Sequence, residues 1–440
     1  TVDNIEITDP VYSEGNTIVD FRLPSDSTGT GTLAVRLQMP EPGNERYSEG
    51  APIIIWNGGG YEVKGINHEL APEMDDTIII TYIFQGGSDD WSGLSSDGVY
   101  DYRGEDSIKV LRDVILFAAG QLTDATGKTI HEISTAKVAD NIGMIGISNG
   151  GNIEVAVGAL FGDEIKDYLD YIIQWETPVS SQIATRDFGR MLMQPLEKGV
   201  SQQGDYFNLR YQGFGLKILD ADYSDLTYNP DSIYPVFHDG NGDGIFTVKA
   251  GSYYRYDTPD LDDNNVLELD EDFGLDTYPY ETYDVDGKQV YSRPVMHALE
   301  NVITDWPDYL ATVEQSDDYW DIREAVWMYD EVIAKIPNIE AMVLAGEEDH
   351  VQSCPDKFNI RQAYEGWEVN GVSWVQINPS PEYILELKPD YTKLDLPDNQ
   401  PNTAPNDWAD VTDYTFPMTV YKTIYQTAAV WQMADRAHDN

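Results

Sequence analysis

The residues that most constrain this chain are Ile142 to Gly150. Ile142-Gly143-Met144-Ile145-Gly146-Ile147 is a continuous apolar run. It leads without spacer into Ser148-Asn149-Gly150, and Asn152–Phe161 then reads as a helix of small residues. A run apolar on both faces suits a strand buried inside a parallel sheet. Gly146 and Gly150 flank Ser148 at two residues on either side, as a very tight strand-to-helix turn requires. Such a turn lifts the Ser148 hydroxyl above the sheet. It also sets the first amides of the helix, and the positive end of its dipole, near any developing negative charge. The plainer reading of these residues is a glycine-rich turn that only allows close packing. The strand before and the helix after favour a nucleophile.

The rest of the chain alternates in the same manner. Thr17–Leu23 and Thr32–Met39 read as strands, separated by a turn-forming cluster. Pro52–Trp56 and Thr77–Tyr82 are short buried-type strands. From Asp106 to Ala119, Ile108, Leu111, Ile115 and Ala118 share one helix face, with Arg112 and Asp113 pointing elsewhere. Tyr171–Trp175 is the next strand. The pattern resumes with a helix around Asp321–Ala334, a strand at Ile339–Leu344, a helix near Phe358–Trp367 and a strand at Ser373–Ile377. A polar stretch, Asn378–Asp413, and a helix, Met418–Arg436, close the chain. Alternating strands and helices predict an α/β fold. Residues from about Thr185 to Gln315, rich in Tyr, Asp and Gly, break the rhythm and read as an insertion. The expected organisation is therefore a first half of the core at 1–184, an insertion or cap at 185–315, and a second half of the core at 316–440.

Asn57-Gly58-Gly59-Gly60 ends an early strand, and such a loop lets backbone N–H groups approach a reacting carbonyl oxygen. Gly98-Val99-Tyr100-Asp101-Tyr102-Arg103-Gly104-Glu105-Asp106 precedes the helix before Ser148. Ala345-Gly346-Glu347-Glu348-Asp349-His350-Val351 follows a strand. In this order, these segments resemble the α/β-hydrolase superfamily, and are similar to its prolyl-oligopeptidase and dienelactone-hydrolase-like serine hydrolases. The resemblance covers Gly31–Pro178 and Tyr319–Ile377. It implies a mostly parallel sheet flanked by helices and a nucleophile elbow at Ser148. It further implies an oxyanion hole from the Asn149 N–H and the Gly58, Gly59 and Gly60 loop, and a triad acid at Asp349. In lipases and esterases the loop reads His-Gly-Gly-Gly; Asn57 replaces that His here.

A serine hydroxyl needs a base to take its proton. In this fold the base is a His after the last strand, but no His lies between Ser373 and Pro417. The six histidines are His68, His131, His238, His297, His350 and His438. His438 has the right order but reads as a tail residue past the final helix. His350 adjoins Asp349, and neighbours on a loop diverge. His238 and His297 belong to the insertion, His68 follows the glycine loop, and His131 reads as a surface-loop residue. Two readings stay open: a rearranged base (Asp, Glu or a His from the insertion), or a scaffold that has lost catalysis.

The insertion carries two segments patterned like EF-hand calcium loops. In the first, Asp239, Asn241 and Asp243 fall at positions 1, 3 and 5, with Gly244 at 6 and the Ile245 carbonyl at 7. In the second, Asp260, Asp262 and Asn264 take the same positions, followed by the Val266 carbonyl, and Glu271 takes position 12. Short oxygen ligands alternating in this way suit a hard cation, and calcium would order an insertion that lacks helical periodicity. The plainer alternative is an acidic surface loop.

Asp plus Glu number 78 against 27 Lys plus Arg, a formal net charge of -51. That surface repels nucleic acid and anionic membranes. Nothing approaches the roughly 18 apolar residues of a membrane span. One cysteine, Cys354, excludes an intramolecular disulfide. The chain begins at Thr1, which fits a mature or trimmed form, and acidity and calcium together lean toward a secreted, extracellular protein. The expected function is a secreted serine hydrolase acting on a small-molecule ester, or less readily a peptide. The alternative is a catalytically inactive, calcium-stabilised extracellular binding or assembly protein, with a homo-oligomer compatible with either.

Overall fold

The structure, a computed structural model, describes residues 11–13, 16–60, 63–65, 74–90, 92–181, 223, 226–230, 235–238, 247–249, 266–268, 283–285, 287–346, 357–389, 399–408, 411–416 and 422–440. Its centre is a nine-stranded sheet. In chain order the strands are β1 (Val11–Ser13), β2 (Asn16–Pro24), β3 (Thr32–Pro40), β4 (Ala51–Asn57), β5 (Ile78–Tyr82), β6 (Val138–Ile147), β7 (Leu169–Trp175), β8 (Glu340–Leu344) and β9 (Val375–Ile377). Their spatial order is β1-β2-β3-β5-β4-β6-β7-β8-β9. The first three strands and the β3/β5 pair are antiparallel, and every pair from β5 to β9 is parallel. The strand–helix alternation implied an α/β sheet, and the mostly parallel order is of the α/β-hydrolase type that the resemblance implied.

The apolar runs are continuous because both faces of the sheet are covered. Along β4, Ile53 and Ile55 join one buried cluster while Ile54 and Trp56 join the other. β8 divides in the same way, with Ala341 and Val343 on one face and Met342 and Leu344 on the other. The first face is packed by α1 (Glu105–Ala118), α2 (Asn149–Ile165), and residues of α5 (Tyr329–Lys335) and α6 (Phe358–Val369). The second is covered by α7 (Lys422–Asp439), which lays Ile424, Tyr425, Ala428, Ala429, Met433 and Ala434 against it. Burying large apolar side chains such as these stabilises the fold by about 1.5–3 kcal/mol each.

Three details differ from the expected elements. Asp113 is buried on α1: it accepts from Ser25 Oγ at 2.6 Å and from Arg112 Nη2 at 2.6 Å, so a charged partner and a hydroxyl replace water. The single helix expected over 321–334 is broken. α4 (Val313–Asp321) stops, and α5 starts only at Tyr329. Between them the Ala325 and Val326 amides donate to Asn152 Oδ1 and Val179 O, so tertiary bonds take the donors a continuous helix would use. Within the polar stretch after β9, Pro381–Leu387 forms a helix with proline at its start.

Between β7 and β8, the described parts of the insertion form three antiparallel strand pairs, together with α3 (Arg293–Leu299) and α4. Residues of two of these pairs, with α3 and α4, share an apolar cluster of their own, which includes Leu226, Val290, Met296, Leu310 and Trp320. This cluster reaches past 315, the boundary expected from composition. No helix among the described residues is long and apolar enough to cross a membrane.

Candidate active site

Ser148 stands between β6 and α2 with φ 51° and ψ −127°. Only glycine adopts this region without strain, and the cost to another residue is of order 1–3 kcal/mol. Neighbouring atoms enforce the conformation. The Ser148 amide donates to Trp175 O at 2.8 Å, and Ser148 O accepts from Gly151 N at 3.0 Å. A side chain at Gly146 would run into the Gly150 backbone, one at Gly150 into the Asn57 carbonyl, and one at Gly151 into Thr177. The two glycines of the motif are therefore required by contact. Asn149 opens α2 and is buried.

The glycine loop passes directly over this turn. A Cβ on Gly59 would lie 2.9 Å from Ser148 Cβ. Asn57 is the register partner of Gly146, so the Gly58–Gly60 loop leaves β4 level with the elbow. Two buried side chains hold its position. Asn57 Nδ2 donates to Glu154 Oε1 at 2.7 Å, and Tyr82 OH donates to Asn57 Oδ1 at 2.6 Å. Arg103, also left-handed at φ 64°, donates from Nη2 to Gly58 O at 2.7 Å, Val63 O at 3.0 Å and Gly60 O at 3.4 Å. Its guanidinium lies over the Phe84 ring at 4.3 Å. Burial pushes the Glu154 carboxyl well above the usual carboxylate range, and the bond from Asn57 offsets this only in part. Burial likewise raises the Tyr82 phenol.

Two further strand ends adjoin the elbow. Trp175 is the register partner of Ile147, so Glu176 follows β7 just as Ser148 follows β6. Glu176 is 2% exposed and left-handed, at φ 46°. Its amide donates to Leu344 O at 3.0 Å, and its Oε1 lies against Gly346, where a Cβ would come within 2.5 Å. Asp349, the expected acid, lies outside the described residues, three positions past Gly346. After β9, Asn378 takes φ 60° and bonds Ala345 N at 2.8 Å, Ala345 O at 3.1 Å and Tyr414 O at 2.8 Å. An asparagine staple thus occupies the start of the loop on which this fold places its histidine.

The described imidazoles are engaged elsewhere. His131, on a short helix (Ile130–Ile133) instead of a loop, lines a cavity of about 370 Å³ with Val138, Asp140 and Tyr168. That is where β6 begins, about 33 Å of strand from Ser148. His438 is part of α7, not a tail; it bonds Glu49 and stacks on Tyr47 at 4.1 Å, beside the start of β4. His297 bonds Asp317 Oδ1 at 2.9 Å within the insertion. His68 and His350 lie outside the described residues, and His238 ends a strand paired with Leu226.

Of the calcium candidates, Asp239, Asn241, Asp243, Ile245, Asp260, Asp262, Asn264 and Glu271 lie outside the described residues. Val266 lies within the strand Val266–Glu268, which pairs antiparallel with Thr247–Lys249. Among the described residues no group of three acidic, His or Cys side chains could hold a metal.

Glu154, Arg103 and Glu176 were not singled out from the sequence. Glu154 had a signal: it is one acid in an otherwise small and apolar helical run. Arg103 stood in a segment noted for its resemblance. Glu176 looked like any polar residue ending a strand.

No family model matches the chain, and no curated protein matches it. Among solved structures, an acetyl xylan esterase from Paenibacillus sp. R4 is 11% identical with a TM-score of 0.29; the match covers 40% of this chain and 54% of that one. The thermophilic carboxylesterase EstE1, cloned from a metagenomic library, is 14% identical at 0.24, covering 40% and 49%. Carboxyl esterase 2 from the mycorrhizal fungus Tuber melanosporum is 14% identical at 0.37, covering 83% and 75%. The chain thus spans about half the length of the first two. These likenesses assign it no activity, substrate or residue; the fold assignment rests on the sheet order and the elbow.

Proposed function

We propose that this chain is a serine hydrolase that acts on carboxyl esters of small molecules. The observation that carries the reading is the strained Ser148, held at φ 51° between β6 and α2 with Gly59 packed against it. Strain of this kind persists only where surrounding contacts impose it, and it clusters at functional sites. Ser148 Oγ attacks the ester carbonyl. The Asn149 N–H and amides of Gly58, Gly59 and Gly60 receive the oxyanion, and Asp349, on the loop after β8, orients a base that the sequence does not identify. The test is p-nitrophenyl ester turnover and fluorophosphonate labelling of wild type against Ser148→Ala. Turnover and labelling that vanish in the variant support the reading. Equal rates, or no turnover on a broad ester panel with no labelling, sink it and favour an inactive binding or assembly scaffold.

The same reading makes the protein a secreted, calcium-stabilised one. The pairing of Thr247–Lys249 with Val266–Glu268 supports it, because these strands are positions 9–11 of the first calcium-loop pattern and 7–9 of the second. Calcium would be structural, held by Asp239, Asn241 and Asp243 and by Asp260, Asp262, Asn264 and Glu271. A melting temperature unchanged by chelator would remove this part of the proposal.

A further inference from the structure

We propose that Arg323 is a positioning residue for this site: it ties α4 of the insertion to the turn that carries Arg103, and through Arg103 to the glycine loop. This rests on Ser148 being the nucleophile and on the Gly58–Gly60 loop receiving the oxyanion. Residues 101–104 form a turn closed by the Gly104 amide, which donates to Asp101 O at 3.1 Å. Both central residues have positive φ, Tyr102 at 53° and Arg103 at 64°. Turns of that hand are dominated by Gly, Asn and Asp. A bulky side chain there is an outlier that its surroundings must impose.

Arg323, just past α4 and buried, imposes it. Its Nη2 donates to Asp101 O and its Nε to Tyr102 O, both at 2.8 Å. Those carbonyls belong to the two peptide planes that flank Tyr102, so one guanidinium fixes both. The remaining nitrogen, Nη1, donates to Tyr319 O at 2.7 Å, and the group lies over the Tyr319 ring at 3.7 Å. Tyr319 is part of α4 and of the insertion's apolar cluster. Gly104 leaves room for this contact, since a Cβ there would lie 2.8 Å from Arg323 Nη2. A rigid planar fork of donors suits the task, because it meets three carbonyls at once.

The fixed turn in its place aims Arg103. That guanidinium is buried over Phe84, and its Nη2 reaches Gly58 O, Val63 O and Gly60 O. Gly59, between two of these residues, is the one packed against Ser148 Cβ. Two arginines in series therefore run from α4 to the elbow. Without Arg323 the strained turn is free to relax toward negative φ, and that redirects the Arg103 side chain away from the loop. Displacing a reacting or stabilising group by about 1 Å can cost about 10²-fold in rate.

The experiment measures fluorophosphonate labelling rates and p-nitrophenyl ester kinetics for wild type, Ser148→Ala, Arg323→Met, Arg103→Met and the double arginine variant, with a melting temperature for each. Arg323→Met should slow labelling about tenfold, less than the ~10²–10³ for losing an oxyanion donor outright. It should lower kcat with KM kept within about twofold, as for an interaction made in the transition state. The double variant should label within about twofold of Arg103→Met alone, because the two residues act along one path. In a Ser148→Cys background, iodoacetamide alkylation at about pH 9, where a thiol ionises without help, forms no oxyanion, so Arg323→Met should leave it unchanged. Wild-type labelling in Arg323→Met, a rise in KM alone, losses that multiply in the double variant, or equal slowing of the alkylation overturns the proposal while leaving Ser148 as nucleophile. If Arg323→Met melts far below wild type, Arg323→Lys takes its place in every comparison, because an ammonium keeps the charge but lacks the fork. No labelling of the wild type, or labelling that survives in Ser148→Ala, is the separate failure of the esterase reading and takes this proposal with it.

Discussion

Asn57 donates to Glu154 across 2.7 Å, and this one bond ties the strand end that bears the glycine loop to the helix that begins at Ser148. Both side chains are almost fully withdrawn from water. Burial there costs an ionised carboxylate more than the bond from Asn57 returns, so the folded state raises the Glu154 pKa well above its ordinary value.

A sign follows for stability. An unfolded chain releases this proton above about pH 4.5, whereas the folded state holds it, so the wild type loses stability as pH rises from there toward the raised folded value. Glutamine can accept from Asn57 without titrating. Glu154→Gln should match the wild type within about 1 kcal/mol at pH 4 and gain on it toward pH 8, by at most about 1.4 kcal/mol per pH unit. Denaturant titrations at several pH values check this; a constant difference would show that Glu154 does not titrate on unfolding.

The strain at Ser148 yields a stability–activity trade. Ser148→Gly removes the Cβ that makes φ 51° costly, so it should raise stability by about 1–3 kcal/mol. Ser148→Ala keeps the Cβ and should not. Both abolish hydrolysis. Thermal melts of the two variants separate strain from the loss of the hydroxyl; equal melting temperatures would mean the turn is unstrained.

How far the sequence shows this site depends on the kind of signal each residue leaves. β4, β6 and α1 are legible because buried strands and amphipathic helices leave periodic patterns, and Gly146 and Gly150 are legible because a tight turn needs them at fixed offsets. The broken helix near Ala325 is not, because tertiary bonds to Asn152 and Val179 decide it. Glu176 is hidden for the same reason. Its place beside Ser148 follows from strand order and register, and a lone acid after an apolar run carries neither.

Arg103 should act on rate more than on stability. Its bonds to Gly58 O and Val63 O hold the loop whose Gly59 lies against the elbow. Arg103→Met keeps the apolar contact with Phe84 and removes the donors. Relief of a buried charge offsets part of the lost bonding. Fluorophosphonate labelling of Ser148 should slow about tenfold to a hundredfold, less than the ~10²–10³ for losing an oxyanion donor outright. Unchanged labelling would detach Arg103 from the loop's function.

The end of α7 should be held best in a mildly acidic window. Asp435 is raised by burial, but Arg46 Nε at 2.6 Å and Tyr47 OH at 2.8 Å outweigh that and leave its carboxyl below the usual range. A depressed acid contributes stability above about pH 3.9 that is lost as pH falls through the folded value. His438 is raised by its bond to Glu49. A raised histidine contributes below about pH 6.5 and loses that contribution as pH rises through its folded value. Amide exchange over 430–439, corrected for intrinsic rates, should be slowest between these limits. His438→Ala should flatten the alkaline side and Asp435→Asn the acid side. If both variants keep the wild-type profile, other groups anchor the helix end.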